Sequence, residues 1–212
     1  IWFHGYAHYV QFILLFLLII LKKKYFLRIE SNLVSTKKSF IKNIFIKLIV
    51  RKASKLLYIG SLNKEYYINY GARNDQLVFI PYTVDNDYFK LSKKSFKNTK
   101  IKKSLKLNDD IPIVLFSGKL IDRKQPQRLL EECLKIMKSV NFYLIFLGEG
   151  YLKKPMIESL KNNKYKKNIK FLGFVNIDEI SNFYSISDIF ILPSMHETFG
   201  LVINEAMIQS MQ

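Results

Sequence analysis

Apolar residues fall along this chain in short runs whose spacing alternates between that of strands and that of helices. The opening IWFHGY reads as a strand end entering a turn, and residues 9–21 (YVQFILLFLLIIL) are apolar almost throughout. That run predicts a helix buried in an α/β domain. Residues 25–29 (YFLRI), 56–59 (LLYI) and 76–80 (QLVFI) read as short buried strands, the last closed by Pro81. Between them, residues 39–54 predict a basic amphipathic helix with Phe40, Ile44 and Leu48, joined by Ile41 and Phe45, on its apolar face. Residues 63–70 predict a helix stopped at Gly71.

From 85 to 107 the periodicity lapses into a Lys-, Ser- and Asn-rich stretch, the natural candidate for a connector. A second series then begins, with strands expected over 111–116, 142–147, 169–171 and 188–192. Helices are expected over 125–140, 153–162, 177–185 and from 200 onward. Strands separated by helices demand crossover connections and hence parallel sheets. The expected fold class is therefore α/β, doubly wound, divided into residues 1–85, a linker over 86–108 and residues 109–212. No internal repeat is visible beyond the alternation.

Composition narrows the partners. Hydrophobic residues make up 49% of the 212, and Gly and Pro are scarce, which excludes disordered and collagen-like chains. The net charge of +17 has three readings: a genome rich in Lys, Asn, Ile, Tyr and Phe, attraction to an anionic membrane surface, or nucleic-acid binding. No nucleic-acid module signature accompanies it, so no nucleic-acid partner is expected. Cys133 stands alone, which rules out an internal disulfide and fits a reducing, cytoplasmic compartment. No HExxH, CxxC pair or Walker loop occurs, and no metal or cofactor is expected. The run at 9–21 has about 13 residues, short of the roughly 20 that span a bilayer, and its Lys22, Lys23 and Lys24 follow it rather than precede it as in a signal peptide. The basic helix leaves a peripheral position on the inner face of the membrane as an option beside an ordinary surface role. The chain starts without Met and stops inside an expected helix, which reads as an incomplete protein.

Candidate chemistry lies after the strands of the second series. Glu197 follows one strand in a loop, and Glu205 lies eight positions later, within the helix that starts near Gly200. Gly200 lets a backbone approach a ligand, and the free N–H groups of a helix start attract phosphate. A carboxylate beside an anion-binding helix end suits a sugar joined to a diphosphate. Lys119 and Lys124, five positions apart, follow the strand at 111–116 behind Ser117 and Gly118. Two cations at a sheet edge can neutralise a departing diphosphate without a metal. His196 and His4 each admit a structural reading as readily as a functional one.

The strings SGKLIDRK, FLGEG, IKFLGFV and SISDIFILPSMHETFGLVINEAM, in that order, resemble the donor domain of glycosyltransferase family 4, which has the GT-B fold: two Rossmann-like domains facing a cleft. The resemblance is strong over 109–212 and weaker over 1–85, where LRIESN and FIPYTVDNDYF look like the end of the acceptor domain. It implies a retaining transfer of sugar from a nucleotide-diphosphate donor to a glycan, lipid-linked or small acceptor. The family's two-glutamate motif matches Glu197, implied to contact the transferred sugar, and Glu205, implied to hold the ribose. Thr198, Phe199, Gly200 and Leu201 would wrap sugar and diphosphate, while Gly173, Phe174 and Val175 would lie near the base. Gly118, Lys119 and Lys124 match the basic loop, where Lys119 keeps the charge of the usual arginine but not its bidentate fork. Where relatives carry a cleft histidine, this chain has Arg28 and Glu30. A GT-B epimerase acting on a nucleotide sugar and an inactive nucleotide-sugar-binding remnant are the competing readings.

Overall fold

A computed structural model of the chain describes residues 1–6, 8–34, 40–91, 96–209 and 211. Ser39, residues 92–95 of the expected connector, and Ser210 and Gln212 of the last expected helix lie outside it. The described residues form two compact units, Ile1–Tyr82 and Thr83–Gln212.

The first unit holds β1 (Trp2–His4), α1 (Tyr9–Ile20), β2 (Phe26–Arg28), α2 (Phe40–Lys52), β3 (Lys55–Tyr58), α3 (Ser61–Asn69) and β4 (Leu77–Phe79). Its strands pair in chain order, β1-β2-β3-β4, all parallel. The core gathers Leu27, Ile29 and Leu56 from the strands with Leu15, Ile46, Ile49, Val50, Tyr66 and Tyr67 from the helices. Buried polar side chains of α3 stitch it together: Asn63 Nδ2 donates to the Ile29 carbonyl at 2.7 Å, and its Oδ1 accepts from Ile59 N at 3.1 Å. Such pairing is what makes a buried amide tolerable.

Two expectations about this unit are corrected. The apolar run does form α1, but only Leu15 and Leu18 of it are buried, while Tyr9 is 71% and Ile20 59% exposed. A helix apolar on every side carries no pattern to say which face packs. Among the described residues no helix is long and apolar enough to cross a membrane. In α2 the buried stripe is Ile46, Ile49 and Val50, with Phe45 beside it, whereas Phe40, Ile41 and Ile44 are exposed. The helix has two apolar stripes, and the one nearer its C-terminus faces the sheet.

The second unit contains α4 (Asn86–Leu91), α5 (Phe96–Ser104), β5 (Ile113–Ser117), α6 (Pro126–Ile136), β6 (Tyr143–Leu147), α7 (Lys153–Ser159), β7 (Ile169–Gly173), α8 (Ile177–Ile186), β8 (Ile189–Phe190) and α9 (Leu201–Ile208). Its parallel sheet runs β7-β6-β5-β8. Every residue of β5 is buried because both faces of the sheet are covered. Val114 and Phe116 join Leu129, Leu130 and Cys133 on one face; Ile113 and Leu115 join Tyr184, Ile186 and Ala206 on the other. This is the doubly wound arrangement expected of the apolar runs. Residues 86–108, expected as a linker, carry α4 and α5, which pack on α9 and α8 of this same unit.

Candidate functional site

The sheet of the second unit ends in three loops that its own backbone binds into one floor. Gly118 N donates to the Leu147 carbonyl at 2.9 Å, Leu120 N to that of Glu149 at 2.9 Å, and Gly148 N to that of Gly173 at 2.7 Å. These loops leave the carboxyl ends of β5, β6 and β7, where open parallel sheets bind ligands. Their approach is so close that a Cβ on Gly148 (φ +129°) would lie 2.0 Å from the Gly118 carbonyl oxygen. Above the floor is a cavity of about 320 Å³, lined by Ser117, Gly118, Lys119, Leu147, Gly148 and Glu149, with Phe174, Val175 and Ile180 closing its side. Lys119 brings an exposed cation to the rim, and Phe174, 75% exposed, brings an aromatic face. Four of the residues expected at a donor site, Gly118, Lys119, Phe174 and Val175, thus share one cavity, and Gly173 supplies the bond that sets the floor.

Lys124 and Glu197 form a second group. Lys124 ends a short 3-10 turn, Asp122–Lys124, and its ammonium is ion-paired with the Glu197 carboxylate. Both side chains are shielded, 12% and 23% exposed. Burial works to raise the Glu197 pKa, but the hydrogen bond from Lys124, with the charges of Lys124 and Arg123, holds the carboxyl below its ordinary value. The loop carrying Glu197 is pinned by its backbone as well: Met195 N donates to the Arg123 carbonyl at 2.9 Å, and the Arg123 guanidinium donates to that of His196. His196 therefore serves through its main chain, with its ring exposed.

The third group lies where the chain enters α9. Thr198 and Phe199 lead to Gly200, whose φ of +78° makes the turn before Leu201 begins the helix. Glu205, one turn further on, accepts a hydrogen bond at Oε2 from the Tyr184 phenol of α8 at 2.8 Å. Burial raises the Glu205 pKa, and this hydrogen bond opposes the rise. Burial also pushes the Tyr184 phenol far above the ordinary tyrosine range, so it is a permanent donor. In the first unit, at the ends of β1 and β2, His4 Nε2 is 2.7 Å from Glu30 Oε1, and Arg28 Nε lies 3.6 Å from the same oxygen. Arg28 and Glu30 are thus an ion pair, and the Arg28 guanidinium sits 4.2 Å over the Tyr82 ring.

Sequence reasoning passed over Glu149, Tyr184 and Arg123. Glu149 lay in a turn whose glycines drew attention, and it pairs at 2.5 Å with Lys153, the first residue of α7. Tyr184 sits 21 residues before Glu205, a separation with no local periodicity to betray contact. Among the described residues, no group of three or more His, Cys, Asp or Glu side chains is placed to share a metal ion.

The chain is 31% identical over 106 residues to an uncharacterized glycosyltransferase of Methanocaldococcus jannaschii, which covers 50% of this chain and 27% of that protein. It is 29% identical over 157 residues to a glycogen synthase of Pseudothermotoga lettingae, covering 72% of this chain and 31% of the synthase. It thus spans about three-tenths of the length of these curated relatives. In fold it is similar to Anabaena HepE crystallised with UDP and glucose, with a TM-score of 0.74 at 17% identity over 99% of this chain and 57% of that one. The model of the family described as glycosyl transferases group 1 matches residues 97–211, more than half of the chain and all of the strand-end loops of the second unit described above. The chain belongs to that family, the glycosyl transferases group 1, and has its α/β, GT-B type of fold.

Proposed function

We propose that this chain provides the donor site of a retaining glycosyltransferase that moves a sugar from a nucleotide-diphosphate donor to a glycan, lipid-linked or small acceptor. The observation that carries the reading is the cavity at the carboxyl ends of β5, β6 and β7, with Lys119 at its rim and the Lys124–Glu197 pair in the same unit. Phe174 and Val175 offer the base an apolar wall. Lys119 and Lys124 would draw the diphosphate and stabilise it as it leaves, which needs no metal. Glu197, held ionised, is suited to accept hydrogen bonds from sugar hydroxyls, and Glu205 from those of the ribose. The leaving phosphate would then assist deprotonation of the acceptor on the face it vacates, retaining configuration.

The acceptor stays at the level of class. The similar proteins include glycogen synthases and an alpha-monoglucosyldiacylglycerol synthase of Acholeplasma laidlawii, which fits both glycan and lipid acceptors. The exposed apolar face of α1, followed by Lys22, Lys23 and Lys24, supports a peripheral position on an anionic cytoplasmic membrane face. Sugar transfer in the full-length protein tests the core reading. Glu197→Ala and Glu205→Ala should each lose most turnover while the thermal unfolding profile is kept. Unchanged turnover in both would remove the assignment.

A further inference from the structure

The Tyr184 phenol ties α8 to the third group of the site through Glu205. Its ring is fully buried, edge-on to Phe89 with centroids 6.1 Å apart and tilted against Phe190 at 5.8 Å. A ring held on two sides gives its hydroxyl one position. There the phenol donates to Glu205 Oε2 at 2.8 Å, and the ring packs in the same core cluster as Ile113 and Leu115 of β5, the strand whose last residue, Ser117, lines the cavity. An ionised carboxylate has acceptor sites on both oxygens, so a donor fixed at Oε2 keeps the acceptor sites of Oε1 for another donor.

We propose that Tyr184 is a positioning residue for nucleotide binding: its phenol holds one oxygen of Glu205 so that the other is presented to the ribose hydroxyls of a nucleoside diphosphate. The proposal rests on the reading of Glu205 as the ribose contact. Without the phenol, the three torsions of Glu205 would have to be ordered by the ligand itself, and that cost would appear as lost affinity. Residues remote from the ribose would not feel the change.

The test is calorimetric titration of the full-length protein and its Tyr184→Phe variant with UDP, GDP and ADP, each beside its 2′,3′-dideoxy analogue. Phenylalanine keeps the ring packing between Phe89 and Phe190, so the variant retains the fold. The expected result is a Kd for the ribose nucleotide raised roughly tenfold, with the dideoxy analogue unchanged. In a Glu205→Ala background, adding Tyr184→Phe should change nothing further. A general packing defect would weaken both nucleotides alike, and that outcome overturns the proposal. So does an unchanged ribose-nucleotide Kd in Tyr184→Phe when Glu205→Ala raises it. If Glu205→Ala itself leaves the Kd unmoved, the ribose reading of Glu205 falls and takes the proposal with it. If no nucleotide binds the unaltered protein, the donor reading is what has failed.

Discussion

Gly148→Ala should cost this protein far more than any surface substitution, and the reason lies in backbone rather than in side chains. The added Cβ would stand 2.0 Å from the Gly118 carbonyl oxygen and 2.8 Å from its carbon. Both obstacles are main chain, so no rotamer can relieve them. Opening the gap to ordinary contact separates the β5 and β6 loops and weakens two hydrogen bonds, Gly118 N to Leu147 O and Gly148 N to Gly173 O. Each is worth about 1 kcal/mol. The φ of +129° adds about 1–3 kcal/mol for a residue with a side chain. The sum is about 3–5 kcal/mol, which for a chain of this size lowers Tm by roughly 6–20 °C. Gly60→Ala is the matched control, because a Cβ there meets nothing within 4 Å. It occupies the N-cap of α3, where glycine is preferred to alanine, so the loss should stay at about 1 kcal/mol or less. Thermal unfolding by circular dichroism measures both. A Gly148→Ala protein melting within about 2 °C of Gly60→Ala would refute the laced floor of the cavity.

Other consequences are simpler to read. Lys119→Ala should leave stability within about 0.5 kcal/mol, since the side chain is exposed, yet weaken nucleoside-diphosphate binding roughly tenfold; equal binding would remove Lys119 from the site. Lys124→Met should destabilise by about 1–2 kcal/mol at neutral pH, between the values for exposed and fully buried pairs. Because the folded pKa of Glu197 is depressed, its charge stabilises the fold above the unfolded value of 4.5 and ceases to do so as pH falls through the folded value. The stability gap between wild type and Lys124→Met should thus be flat at neutral pH and close below 4.5; denaturant titrations across pH check it, and a gap that persists in acid contradicts it. The Cys133 thiol, pushed up to about 11 by burial and by Glu132, should resist iodoacetamide at about pH 8 in the folded protein and react promptly in denaturant, as mass spectrometry would register.

How much of this was legible in the sequence depends on range. The runs IVLF and LIFL are buried on both faces, and such strands announce themselves by unbroken hydrophobicity. Once the strands are placed, so are the residues just past their carboxyl ends, which is why Gly118, Lys119, Phe174 and Val175 could be expected near one another. The faces of α1 and α2 were not legible, because an all-apolar helix and a doubly striped one leave the packing side to the tertiary fold. The helices α4 and α5 hid behind sequence without apolar periodicity, in which Asn, Asp, Ser, Thr and aromatic residues have weak helical preference. Tyr184 was illegible for another reason: its bond to Glu205 joins α8 to α9 and follows from how both helices pack on β5.

On the reading proposed above, the strand-end cavity of the second unit receives the diphosphate of a nucleotide sugar. Calorimetric titration of UDP-, GDP- and ADP-sugars into the full-length protein, and into its Lys119→Ala and Glu205→Ala variants, tests it most directly. Saturable one-to-one binding of one donor is expected, weakened in both variants with the fold intact. Binding that neither variant weakens, or no binding of any donor by the folded protein, would contradict it.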